Sequence, residues 1–414
     1  MQTLFLRILP SLVAGMAVTL SAMAFSIPGD QNLDSVGSLA GSGESIVPSA
    51  GPVYSWTDNN GDANTNGAGD DATADLVLGN YKIYTDNGTN ITLRLLTSAG
   101  KGNITGNSGV TGLSTARPGY YVPGAGSLAI YDVGNLDMGG IDTSHEQQAG
   151  SSPLGGAGSL TIGQPSSRAG NIRVDFLRTH WVLPDGTWGN SRGFPGDLTI
   201  HSSGNVRVQT SGGTAGDVTT WCVGYENGRI AIHHDGDFRA KHIKATAGTG
   251  YTSTCRSRSV TLNGDVLTNS ASGSCQILGS ISNEQTRVTI YGGNNEGITI
   301  SGYTSVSVAG NIFCGNVGAG AAGSLLITNI AGNIAIGGDV NLDASAGSSS
   351  DGSLTIHNSS GQIWLGRLDL ENVKSAKLSA GWRKGWFTQS ITNFTGDNDP
   401  NHLVPARQRF FYDI

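Results

Sequence analysis

A five-residue pattern, Gly-x-Leu-x-Ile, returns along most of this chain and limits what it can fold into. It stands at Gly126–Ile130, Gly158–Ile162 and Gly196–Ile200, and with substitutions at Gly228–Ile232, Arg258–Leu262, Thr286–Ile290, Gly323–Ile327 and Gly352–Ile356. The spacing runs from 28 residues (258 to 286) to 38 (158 to 196). A second pattern, Gly-Asn-apolar-x-apolar, follows most copies after a short turn: Gly134–Met138, Gly170–Val174, Gly204–Val208, Gly236–Ala240, Gly332–Ile336 and Gly361–Leu365. A third alternation often closes the unit, as in Val340–Leu342 and Leu368–Leu370. Each unit is thus two or three short strands of period two, split by Gly-Asn or Gly-Asp corners.

Strands this short, with one apolar face each, cannot stand alone. Stacking equivalent strands about 4.8 Å apart satisfies every backbone ladder and joins the apolar faces into one bore. Glycine at each corner is expected to supply positive φ, and equivalent asparagines such as Asn171 and Asn205 can stack as an amide ladder. The expected fold is therefore all-β, a right-handed parallel β-helix (β-solenoid). An antiparallel sandwich also has many short strands, but it predicts variety from strand to strand, not one pentad returning.

The ends differ from the repeat. Residues 1–24 carry one charged side chain, Arg7, then an apolar run to Leu20 and the small-x-small site Ala22-Met23-Ala24, the pattern of a cleaved signal peptide. The protein is then extracellular or at the cell surface, and no later stretch is long and apolar enough to span a membrane. Residues 25–50 form a Gly/Ser-rich linker, 51–95 an N-terminal cap and first coils, and 96–380 the solenoid. Residues 381–414 form a C-terminal cap or the start of a further region. The chain has 63 glycines, only 13% charged residues and a net charge of −7. No basic patch is visible, which argues against nucleic acid as a partner.

Candidate chemistry is sparse. Asp58, Asn60, Asp62, Asn64, Asn66 and Asp70 match part of a calcium loop, with Gly67 for the turn. Thr73 stands where the bidentate Glu should be, so a polar turn explains the same residues, and calcium is the one cofactor the pattern admits. His233, His234, Asp235, Asp237 and His242 are close in sequence, but adjacent strand residues face opposite ways, so a solvated turn is the better account. Arg173, Arg207 and Arg239 share one slot in successive copies; as a row they suit an acidic glycan, as a solvated face they need anionic neighbours. Trp181 and Trp188 lie in the longest insertion, where an exposed indole stacks on a sugar ring or packs on the coil. Cys222, Cys255, Cys275 and Cys314 enter an oxidising compartment, where four cysteines permit three pairings; Cys222 with Cys255, one repeat apart, is the favoured one, and free buried thiols are the alternative. Thr161, Thr199, Thr261, Thr289 and Thr355 share another slot, broken by Ala129, Ala231 and Leu326. No catalytic constellation, phosphate loop or Cys-x-x-Cys is found.

From about residue 90 to 380 the repeat style resembles bacterial surface β-solenoids of the filamentous-haemagglutinin-like and autotransporter-passenger type. The haemagglutinin secretion motifs and an outer-membrane barrel are not recognised. The resemblance implies a non-catalytic, adhesin-like surface protein whose partner is an extracellular glycan or the surface of a host or its own cell. A polysaccharide lyase or hydrolase using the arginine row, and a water-ordering, ice-binding solenoid using the threonines, are the alternatives.

Overall fold

The computed structural model describes residues 25–392 except 28, 34–38, 41–44, 49–52, 57–74, 98–99, 120–123, 148–154, 183–194, 222–227, 246–255, 258, 265–271, 284–293, 315–322, 343–351, 371–374 and 380–390. The signal peptide, the calcium set Asp58–Asp70, Trp188, Cys222, Cys255, Thr289 and nearly all of 381–414 lie outside the described residues.

The chain winds as a parallel β-solenoid with three faces, here A, B and C. One coil shows the plan: Val206–Val208 lies on face A, Val218–Thr219 on face B and Ile230–His233 on face C. Face A runs from Phe25–Ser26 to Ile363–Leu365, face B from Gln31–Asn32 to Ile391–Thr392, and face C from Val53–Trp56 to Ser375–Ser379. Before face C begins, Leu39–Ala40, Ser45–Pro48 and Val53–Trp56 form an antiparallel run. Within the segment expected as a linker, the described residues 25–33 join the first coil: Phe25 pairs with Leu76, Gln31 with Ile83, and Ile27 and Leu33 are 4% exposed.

Each coil hydrogen-bonds to the next through its backbone. On face C the N–H groups of Leu160, Leu198 and Ile230 donate to carbonyls of Asp197, Arg229 and Ser259, at 2.8, 2.8 and 3.0 Å. This pairing holds Leu160, Leu198, Ile230, Val260, Ile298, Leu325 and Leu354 in one inward column. Register corrects one copy of the pattern. The strand stacked on Val260–Asn263 is Ile298–Ser301, not Thr286–Ile290. Its Gly297 follows a glutamate and lacks the usual spacer, which hid it. The face A strands Ser272–Ile277 and Tyr303–Val308 were also hidden, because neither carries Gly-Asn.

Two kinds of side chain set the corners. At the entry to face A, Asp75, Asn103, Asn135, Asn171 and Asn205 form a ladder. Asn103 Oδ1 accepts from Asn135 N at 2.7 Å and Asn135 Nδ2 at 3.1 Å, and Asn171 Oδ1 accepts from Asn205 N and Nδ2 at 3.0 and 3.1 Å. Asp237 continues the ladder, and its carboxyl is held below the usual range, first by the Ser274 N–H it accepts. The pentad glycines have a different reason from positive φ. A Cβ on Gly158 or Gly196 would lie 1.8 or 1.9 Å from the carbonyl oxygen of the preceding coil's glycine. Close stacking demands glycine there.

The bore is lined mainly by apolar side chains, its isoleucines and leucines almost all at 0–1% exposure. Fully burying one such side chain contributes about 1.5–3 kcal/mol. Ile232→Ala should therefore destabilise the protein by about 2–5 kcal/mol, whereas Leu326→Ala, at an outward position, should cost under about 0.5 kcal/mol. Urea midpoints of the two variants check this, and equal losses would mean the inward and outward columns are misassigned.

Candidate functional site

Outward positions form columns as strictly as inward ones. On face A the column reads Val77, Thr105, Asp137, Arg173, Arg207, Arg239 and Gln276. The three arginines are thus stacked in register, but the row is charge-matched at its start. Arg173 contacts the Asp137 carboxylate and lies 3.5 Å from Asp175 Oδ1, and Arg207 lies 3.5 Å from Asp237 Oδ2. Arg239 Nε is buried without a hydrogen-bond partner. Asp137 occupies the same slot one copy before Arg173, so the pairing was open to sequence; Asp175 and Ser108, from turns, were not.

Around Arg173 the surface opens into a cleft of about 270 Å³. Its floor is Val77, Thr105, Asp137 and Arg173, and its walls are the turn at Gly106–Ser108 and Ser211 of the excursion 209–216. That excursion is closed by a bridge between Gln209 and Ala215 and reaches back across coils, where Ser211 N donates to Ser108 Oγ at 2.7 Å. Ser108 Oγ also accepts from Arg173 Nη1 at 3.0 Å and donates to Asp175 Oδ1 at 2.9 Å, which uses its full hydrogen-bonding capacity. Asp175 further accepts from Gly109 N at 2.6 Å and is 7% exposed. Ser108 and Asp175 fix the Arg173 fork. Asp137, with a side chain 56% exposed, faces solvent.

The other sequence candidates fall elsewhere. Trp181 is no sugar platform: it is 0% exposed, because Trp181–Val182 pairs with His145–Glu146, and His145 with Arg117, in a small sheet beyond face B. Cys275 and Cys314 are buried thiols in the bore, not disulfide partners; Cys275 stacks on Phe238, and Cys314 Sγ donates to the Ser324 carbonyl at 3.6 Å. Burial pushes both thiols well up, which makes them inert as nucleophiles. His233 points outward and stacks on His201 with ring centroids 5.0 Å apart, whereas His234 points into the bore. Among the described residues no group of three or more His, Cys, Asp or Glu is placed to hold a metal ion. The face C column is Thr161, Thr199, Ala231, Thr261, Thr299, Leu326, Thr355 and Lys377, so Thr299 takes the place expected for Thr289, and the array is still interrupted.

The corner between faces B and C carries a feature the sequence reading missed. Thr115, Thr143, Thr179 and Thr220 are buried at equivalent positions, and their hydroxyls donate to the carbonyls of Gly126, Gly158, Gly196 and Gly228. The last three of these bonds measure 2.5, 2.7 and 2.9 Å. In return Gly158, Gly196 and Gly228 donate N–H to the carbonyls of Thr143, Thr179 and Thr220, at 2.9, 3.1 and 3.3 Å. Asn283 repeats the clasp on Gly297 at 3.0 Å. The signal lay in a Thr two residues past each face B strand's inward apolar residue (Leu113, Ile141, Leu177 and Val218), but the copies stand at uneven distances along the chain, which hid them without the register.

No family model, curated protein or solved structure matches the chain.

One titration is built into the bore. Burial lowers the His234 pKa to about 4, and its Nε2 lies 2.8 Å from the Tyr303 hydroxyl. The unfolded chain takes up this proton near 6.5 and the folded one only near 4. Stability is therefore full above pH about 6.5 and falls as pH drops towards about 4, by on the order of 3 kcal/mol. Urea midpoints of the wild type should fall over that window, and the double variant His234→Leu/Tyr303→Phe should flatten the decline. An unchanged slope in the double variant would assign the acid sensitivity elsewhere.

Proposed function

We propose that this chain is a secreted or cell-surface rod that displays loops along one edge, an adhesin-like scaffold without chemistry of its own. The observation that supports this reading is the clasp between faces B and C. Excursions leave at that corner on coil after coil: 115–127, 143–159, 179–197, 220–229, 245–259, 283–297, 314–324 and 342–353 all connect face B to face C. The Thr–Gly clasp closes four of these loops at their base. Loop length and sequence are then free to vary without disturbing the stack, as a display scaffold requires. These connections recur at the same corner on successive coils, which sets their bases in one row.

The repeat style favours the filamentous-haemagglutinin-like or autotransporter-passenger type within this class. Export through the 1–24 segment completes the reading. The partner is a glycan or a cell surface met by the loop row.

Two measurements test it. Thr179→Val removes one clasp hydroxyl while keeping the shape, and should lower stability by about 1–2 kcal/mol because the Gly196 carbonyl loses its partner. Replacing 183–194 and 246–255 with short Gly-Ser segments should leave the β-sheet circular dichroism unchanged and cut binding to cell surfaces or arrayed glycans. Surface binding that survives replacement of every face B–C loop would sink the display reading.

A further inference from the structure

The face A cleft points to a ligand of its own. We propose that it is a subsite for a neutral saccharide, lying along the coil stack over Thr105, Asp137 and Arg173. This does not depend on loop display, because the cleft is on face A and the loops leave between faces B and C.

The argument starts from which polar groups are committed. Ser108 is fully used by Arg173, Asp175 and Ser211, and Asp175 is buried under Ser108 and Gly109. The Asn107 amide donates Nδ2 to Asn80 Oδ1 at 2.7 Å, which commits one of its donors. What the cleft offers a guest is the exposed Asp137 carboxylate and the exposed side chains of Thr105 and Asn107, together with Arg173. That set is rich in acceptors, and its one cation is fixed in place by Ser108 and Asp175.

Charge decides the class of guest. The cleft is lined by one cation, Arg173, and one carboxylate, Asp137, and the buried Asp175 carboxylate lies 3.5 Å behind Arg173, while Arg207 on the next rung is matched by Asp237. A uronate, sulfate or phosphate would meet net negative charge, which reverses the acidic-glycan reading of the arginine row. A simple cation is disfavoured too, because the accessible carboxylate already contacts a guanidinium. An uncharged guest rich in hydroxyl donors fits: a carboxylate accepts from two vicinal hydroxyls, and a guanidinium edge donates to a ring or hydroxyl oxygen. The volume, about 270 Å³, sits at the small end of ligand sites, which run to roughly 300–1,000 Å³, and suits one or two sugar rings in an open groove. Rungs about 4.8 Å apart also approach the length of one hexose in a linear chain, so successive sugars can rest over successive coils.

The test is calorimetric titration of the exported chain with linear neutral hexasaccharides of glucose, mannose and galactose, and with hexagalacturonate as the acidic counterpart. At least one neutral hexasaccharide should bind, with hexagalacturonate weaker by about tenfold or more. Asp137→Asn, which removes the charge from one acceptor, should weaken binding by about tenfold, as lost charged hydrogen bonds do. Thr105→Trp, which fills the floor from an exposed position, should abolish it. Arg239→Gln, two rungs away, should change it by less than about twofold. Unaltered circular dichroism shows that each variant is folded. Preference for hexagalacturonate, binding that persists in Thr105→Trp, or no binding of any neutral hexasaccharide would each overturn the assignment. None of these outcomes bears on whether the loops bind a surface, so the two proposals fail separately.

Discussion

The molecule depends on the inter-coil hydrogen-bond ladder. Apart from the antiparallel pairings at 39–56 and 96–101, the described strands are only a few residues long and have no hairpin partner, so their backbone groups find partners in the coils above and below. Pairing at that spacing allows one register, because a shift of one residue would turn an inward Leu or Ile to solvent and an outward Thr or Arg into the bore. Once register is fixed, every side chain belongs to a column. The structure is then best understood column by column.

Columns differ in how well like tolerates like. Apolar residues stack freely, and the bore is built from them. Amides stack well too, since each carries both donor and acceptor, and Asn103, Asn135, Asn171 and Asn205 do so along one corner. Arginines do not. Three in a row on face A are tolerated where carboxylates intervene: Asp137 on the rung before Arg173, Asp175 beside it and Asp237 beside Arg207. Stacked histidines are tolerated when neutral, and His201 is kept so first by burial and then by the repulsion that two protonated rings and Arg168 would bring, which lower its pKa to about 4. The cleft at Arg173 forms where this balancing of charge meets a turn and a long excursion.

The two ends of each excursion do a different job. At the clasp, Thr hydroxyls and glycine carbonyls close a loop base inside the wall, so what happens beyond it leaves the coil untouched. Glycine serves there because the neighbouring coil's carbonyl occupies the space of a Cβ. The residues that close the loop bases are thus distinct from those of the loops themselves.

The sequence by itself determined the fold class, since period-two alternation and a returning pentad admit few other packings, and it placed the arginine column correctly. It determined the asparagine ladder from Asn171 and Asn205. The true face C strand at Ile298–Ser301, the clasp threonines, the burial of Trp181 and the thiols of Cys275 and Cys314 were decided only by tertiary structure. The physical reason is the same for each. Sequence shows what repeats along the chain, but a column is defined across coils whose separation varies with loop length, so neighbours that are 28 to 38 residues apart by pattern become contacts only when the register is known. Asp175, Ser108 and Ser211 come from turns with no period at all, and only winding brings them onto Arg173.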